Sequence, residues 1–150
     1  MQITEHIGGY AKYGAALTAA WGERHGMPLV ISGAVGGDER RPAGTQHDDR
    51  FGKVWIMRTL MDRIRTEEQP IEWILWMDAD VYILRQAEDW ASALIRTHGS
   101  FDLIATDQRD SQFGDMNAGV MLLRVSDWTD SFLEAWWHHE EALEGVYEQR

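Results

Sequence analysis

Trp73-Ile-Leu-Trp-Met-Asp-Ala-Asp80 is an apolar run that ends abruptly in two carboxylates. A run of this length, rich in Ile, Leu and Trp, reads as a strand buried on both faces, as in a parallel sheet. Open α/β sheets bind their ligands at the carboxyl ends of such strands, and Asp78 and Asp80 fall at that end. In extended backbone, residues i and i+2 point to the same side, so both carboxylates are expected to face one point. Two adjacent anions are costly unless a cation offsets them. Oxygen donors favour Mg²⁺ or Mn²⁺, and Mg²⁺ is usually held by one or two carboxylates together with substrate phosphates. The plainer alternative is a strand that ends in a solvated acidic turn.

Upstream, residues 6–24 place Ile7, Tyr10, Leu17 and Trp21 at helical spacing, and His25-Gly26 closes that helix as a left-handed cap would. Met27-Pro-Leu-Val-Ile31 reads as a short strand, and 33–49, rich in Gly, Asp and Arg, as a loop. From Gly52 to Glu67, Val54, Met57, Met61 and Ile64 share one face of an amphipathic helix. Downstream, Val81–Leu84 reads as a second short strand and Gln86–Thr97 as a helix with Trp90, Leu94 and Ile95 inward. Phe101–Thr106 and Asn117–Val125 read as further strands. A Trp-rich helix is expected from Asp127 to about Leu143. Strands alternating with helices predict an α/β domain, a Rossmann-like, mostly parallel sheet flanked by helices. Two connections lack an obvious helix, which hints at an antiparallel or mixed strand.

The 150 residues suit one domain, and a domain of that size buries roughly 70% of the surface its unfolded chain exposes. A hydrophobic content of 44% with eight Trp fits a packed core. The formal charge of −11 argues against nucleic acid, which is bound through basic patches. It says less about nucleotides, since a metal can screen a diphosphate within an acidic cleft. The absence of cysteine excludes disulfide scaffolds and Cys-based zinc sites, and suits a reducing compartment. No apolar run approaches the ~20 residues of a membrane span, and no signal-peptide pattern opens the sequence.

A second candidate constellation is Asp115-Met-Asn117-Ala-Gly-Val-Met-Leu-Leu-Arg124. Asn117 stands at the mouth of an apolar strand, and the small Ala118 and Gly119 let backbone approach a ligand. The plainer reading is a tight turn with Asn in the left-handed region. Lys53, at the start of the helix before the acidic strand, could meet a phosphate or sugar hydroxyl, although most lysines so placed are solvated. His138 and His139 are adjacent and point in different directions on a helix, so they do not form a ligand pair. Trp128, Phe132, Leu133, Trp136 and Trp137 are expected to pack the core, and Asp48-Asp49 to lie in a solvated turn.

These segments, taken in order, resemble glycosyltransferase family 34, which includes fungal Golgi α-galactosyl- and α-mannosyltransferases and plant xyloglucan xylosyltransferases. The resemblance is carried by Arg24-His-Gly26, Lys53 and its helix, and Trp73-Ile-Leu-Trp-Met-Asp-Ala-Asp80. Phe101-Asp-Leu-Ile-Ala105, Asn117-Ala-Gly-Val-Met-Leu-Leu-Arg124 and the Ser126-Asp-Trp segment with its following aromatics complete it. It runs over roughly 6–149. It implies a GT-A fold, a nucleoside-diphosphate sugar donor, a glycan or other hydroxyl acceptor, retention of anomeric configuration, and Mn²⁺ (or Mg²⁺) held by Asp78 and Asp80. Carried over residue by residue, Asn117, Ala118 and Gly119 would touch the donor sugar, as would Lys53, and Gln149 of Glu148-Gln149 would lie near the reacting anomeric centre.

The departures bear on completeness. The family's first strand is represented by Met1-Gln-Ile-Thr4 at most, and the sequence stops at Arg150, before the segment that carries the family's third metal ligand, a His, and much of the acceptor site. A single GT-A domain over 1–150 is therefore expected, incomplete at the C-terminus, with incompleteness at the N-terminus also open. Its setting would be cytoplasmic or membrane-associated, or the Golgi lumen for a piece of a eukaryotic member. Two rivals stand beside a transferase. One is a nucleotide-sugar-binding remnant without turnover. The other is a haloacid-dehalogenase-type phosphohydrolase with Asp78 as nucleophile and Asp80 as acid/base, though that motif expects Thr or Val where Tyr82 stands.

Overall fold

The computed structural model describes residues 8–30, 52–68, 70–107 and 116–138. Their order is α1 (Gly8–Arg24), α2 (Gly52–Thr66), β1 (Trp73–Met77), α3 (Trp90–His98), β2 (Leu103–Asp107), β3 (Met116–Arg124) and α4 (Asp127–Trp137). The three described strands form one sheet in the order β1-β3-β2.

Both neighbouring pairs are antiparallel, which corrects the expected mostly parallel sheet for the described residues. β1 and β2 run the same way, but β3 lies between them and opposes both. Parallel neighbours need a crossover of a dozen or more residues, and only residues 108–115 separate β2 from β3. The connection without a helix signal is the one that brings in the opposed strand. Two expected strands are also corrected. Met27–Val30 and Val81–Leu84 adopt no regular structure. Pro28 supplies no backbone N–H to a ladder, Leu29 and Val30 are exposed, and Leu84 is 84% exposed.

Helices cover both faces of the sheet, which explains the uninterrupted apolar character of β1. Ile74 and Trp76 join Met121 and Leu123 of β3 in a cluster with Val54, Met57, Met61 and Ile64 of α2 and Leu133 and Trp137 of α4. The alternate residues Trp73, Leu75 and Met77 face the other way, toward Trp21 of α1 and Ala91 and Leu94 of α3. The period-2 geometry of a strand sorts its side chains between the two layers. α2 and α4 are clipped together along their outer sides, where Arg65 pairs with Asp127 and Asp130 and Arg58 with Glu134. The rings of Trp55 and Trp137 meet at 5.7 Å. Trp128 departs from the expected core role: it is 50% exposed and stacks on Phe132.

Local signals set the ends of the helices. Gly26, at φ +68°, closes α1: Met27 N–H donates to the Gly22 carbonyl and Gly26 N–H to that of Glu23, the two bonds of a Schellman cap. Asp89 caps α3, which starts four residues after the expected Gln86, by accepting the Ser92 N–H at 3.0 Å. Ser126 caps α4 in the same way through Thr129.

α1 buries small residues. Ala11 and Ala15 pack on Ala79, and Gly14 sits so close to the segment after β1 that a Cβ would collide with the Ala79 carbonyl oxygen and lie 3.1 Å from that of Val81. A cavity of about 450 Å³ opens elsewhere, between Met27–Val30, α2 and β1. Its walls are mainly apolar, and Thr18, whose buried hydroxyl has no hydrogen-bond partner among the described residues, lines it.

Two outcomes follow from this packing. Gly→Ala in an exposed helix gains about 1 kcal/mol, but Gly14→Ala is expected to lose about 1–3 kcal/mol in urea unfolding, because the methyl overpacks a backbone contact. Asp89→Ala should cost about 1 kcal/mol at neutral pH. The Ser92 hydrogen bonds hold the Asp89 carboxyl below its ordinary value. The cap's contribution is therefore full above the ordinary carboxylate range and fades as pH falls through the lowered folded-state value. Wild type and variant should converge in acid denaturation profiles.

Candidate active site

The pleat of β1 ends at Met77, and the chain turns immediately: Val81 N–H donates to the Asp78 carbonyl at 3.1 Å. The strand alternation expected to aim both carboxylates at one point ends before Asp80, which lies on the turn. Ala79 between them is buried at 3%, which anchors the turn, while Asp80 is exposed.

Asp78 continues the Trp76 face of β1 and meets α2. Lys53 Nζ lies 3.0 Å from Oδ1 and 3.1 Å from Oδ2, and the Trp76 indole N–H donates to Oδ1 at 2.8 Å. The carboxylate is 30% exposed, the Lys53 side chain only 4%. Burial pushes the Asp78 carboxyl above its ordinary range, although the Lys53 charge and the Trp76 hydrogen bond pull the other way; the nearby Asp80 charge adds to the rise.

β3 supplies the facing wall through an irregularity. Ala105 pairs with Met121 but Thr106 with Asn117, so 118–120 have no partners on β2. Bulges of this kind re-aim the backbone beside functional sites. Here the freed stretch turns to β1: Gly119 O accepts the Asp78 N–H at 2.8 Å, and Ala118 O lies 3.4 Å from Lys53 Nζ. Asn117 Oδ1 accepts the Gly119 N–H at 2.8 Å, an Asx turn within the strand. The left-handed conformation considered for Asn117 is absent, since Glu68 is the one non-glycine with positive φ among the described residues. At Gly119 a Cβ would stand 2.9 Å from Asn117 Oδ1 and 3.4 Å from Asp78 Oδ2. The missing side chain leaves a notch between two oxygen acceptors.

The structure therefore brings together Lys53, Asp78, Asn117, Ala118 and Gly119, with Asp80 on the adjoining turn. Gln149, Glu148, His139, Asp115, Asp48 and Asp49 lie outside the described residues. His138 is 65% exposed and its ring nitrogen lies 2.9 Å from Glu134. Two contributors to the site escaped the sequence reading. Trp76 carried a signal, its spacing of two from Asp78 on one strand face, whereas nothing in the helical pattern of α1 singles out Gly14.

The donor set suits a small divalent cation. Asp80 is exposed. Asp78 Oδ1 accepts two hydrogen bonds, but Oδ2 accepts one and keeps a lone-pair direction. The Gly119 notch adds space between oxygens, the donors that Mg²⁺ and Mn²⁺ prefer. Among the described residues no group of three or more His, Cys, Asp or Glu could hold a metal. Further ligands would have to be water, substrate phosphate or residues outside them.

No family model matches this chain, and no curated protein matches its sequence. Its structure is similar to a solved one, the crystal structure of a glycosyltransferase involved in the glycosylation of the major capsid of PBCV-1. The two superpose with a TM-score of 0.69 at 16% identity, over 98% of this chain and 71% of that one. The chain shares the fold of that glycosyltransferase.

Trp76→Phe deletes one donor to Asp78 and leaves a void where the indole packs in the core. It should cost about 1 kcal/mol for the hydrogen bond and roughly 1 kcal/mol or more for the void, and raise the Asp78 carboxyl further, as followed by NMR titration of its side-chain carbon. Because a carboxyl raised on folding takes up its proton first in the native state, this group's contribution to stability is present in acid and lost as pH rises through the folded value. The variant should accentuate that trend.

Proposed function

We propose that this chain is a metal-dependent, retaining glycosyltransferase of the GT-A type that moves a hexose or pentose from a nucleoside-diphosphate sugar to a glycan-type hydroxyl acceptor. One observation carries the reading. In a chain that shares a glycosyltransferase's fold, the paired carboxylates stand on a turn at the end of a buried strand, beside a notch lined by oxygens.

In this proposal Asp80 and Asp78 hold Mn²⁺ or Mg²⁺, whose contribution when bound is Lewis-acid neutralisation of the charge that develops on the departing nucleotide. The residues of the chain do the positioning. Lys53 and Trp76 fix Asp78 from the protein side, so that the free edge of its carboxylate faces outward. α1, through the backbone contact at Gly14, seats the turn that carries Asp80. Asn117 and Gly119 shape the floor on which the donor sugar rests. Preorganised groups of this kind need no reorganisation during reaction. Gln149, outside the described residues, is assigned by the family resemblance to steady an oxocarbenium-like centre during front-face attack, an amide being a poor covalent nucleophile.

The test is a thermal-shift panel of nucleotide-sugars with and without Mn²⁺, because a ligand of the native state raises its stability in proportion to ln(1 + [L]/Kd). A donor should raise the melting temperature in a Mn²⁺-dependent manner. Asp80→Asn should abolish that dependence while circular dichroism stays unchanged. An equal shift in wild type and Asp80→Asn would refute the cation assignment. Phosphate release from general phosphatase substrates, with no sugar release, would return the site to the phosphohydrolase reading.

A further inference from the structure

We infer that Lys53 is a resident counter-ion of the acidic turn, neutralising Asp78 in the metal-free protein and competing with a divalent cation for the same carboxylate. The inference rests on the proposed cation site and adds to it a charge supplied by the chain itself.

Lys53 occupies a position that is unfavourable twice over. It sits in the first turn of α2, at the positive end of the helix dipole, where acidic residues are preferred. It is also 3% exposed, and a buried ammonium is tolerated only with a partner that compensates its lost hydration. Asp78 supplies that compensation, since both of its oxygens lie within 3.1 Å of the ammonium. Without the ammonium, a mostly buried carboxylate would stand beside the Asp80 charge with, among the described residues, only the Trp76 indole donating to it.

The same geometry sets up the competition. A carboxylate offers about four lone-pair directions. Lys53 and Trp76 take three of those on Asp78, and the one remaining belongs to Oδ2, near the Gly119 notch. A cation bound there shares its ligand with an ammonium already in contact, and like charges about 4 Å apart repel appreciably even at the screened dielectric of a protein surface. Lys53 thus preserves the site when it is empty and weakens it as a metal site, which suits a cation that arrives with a diphosphate and leaves with it.

The full chain carrying Lys53→Met tests this, with Mn²⁺ alone as the probe. Three outcomes are expected. In EDTA the variant melts below wild type, added Mn²⁺ raises its melting temperature more than that of wild type, and free-Mn²⁺ electron paramagnetic resonance reports binding at least about tenfold tighter, a modest fraction of the repulsion removed. Lys53→Arg, which keeps the charge, should behave like wild type in the Mn²⁺ titration. A folded Lys53→Met that binds Mn²⁺ no tighter than wild type overturns the role of Lys53 and leaves the cation site standing. If neither protein binds Mn²⁺, with or without a nucleoside diphosphate, the cation site falls and this inference with it. If Lys53→Met does not fold, wild type decides by NMR with Mg²⁺. A moving Lys53 ε-CH₂ resonance supports the shared carboxylate, and Mg²⁺ binding with that resonance unmoved overturns it.

Discussion

An ammonium and a carboxylate 3.0 Å apart, drawn from the start of α2 and the end of β1, meet beside β3. Each group would be expensive to bury alone, and breaking such a pair typically costs far more than the pair itself contributes. The pair also collects neighbours: Trp76 donates to the carboxylate from the core, and the Ala118 carbonyl borders the ammonium from β3. Packing of α2 on the sheet and construction of the acidic turn are therefore one event. A substitution that loosens α2 at Met57 or Met61 would be felt at Asp78.

Around that pair the site is built mainly from backbone. The Asp78 N–H and the Gly119 carbonyl extend the β1–β3 ladder one step past the strand. The Asn117 side chain substitutes for a missing ladder partner at Gly119, and Gly14 lets a helix touch the turn without an intervening side chain. Backbone contacts move less than long side chains do, so the place of the turn that carries Asp80 is set by elements. That arrangement suits electrostatic stabilisation, whose strength depends on groups being in place beforehand.

Much of this was legible in the sequence where burial follows pattern. The inward face of α2 at Val54, Met57, Met61 and Ile64, the Gly26 cap and the strand at Trp73 all appear as read. Strand direction was not legible, because apolar residues look alike whichever way a strand runs; the short 108–115 connection was the clue. Val81–Leu84 has strand composition, yet the turn at Asp78–Val81 takes it out of the sheet and leaves only Ile83 buried. Lys53 was the hardest to place. A lysine at a helix start is ordinarily solvated, and only its three-dimensional partner makes burial tolerable. The Asp-Ala-Asp pair and the Asn-Ala-Gly segment stood out by their residues, but the bulge that brings them together has no sequence signature beyond a small residue at Gly119.

The three unmatched residues of β3 also bear on how the chain can change in length. Ladder pairing with β1 reaches Val120, and the Asp78 N–H bond to Gly119 O carries it one step further, while pairing with β2 skips all three residues. Removing one residue from 118–120 would shift Asn117 by one step relative to Met121 and out of its pairing with Thr106, and a one-step shift turns side chains to the opposite face. The segment therefore resists insertions and deletions, and at Gly119 the crowding of a Cβ against Asn117 Oδ1 restricts the side chain as well. In a lineage of such proteins, its spacing from Met121 would be expected to outlast the identity of the residues around it.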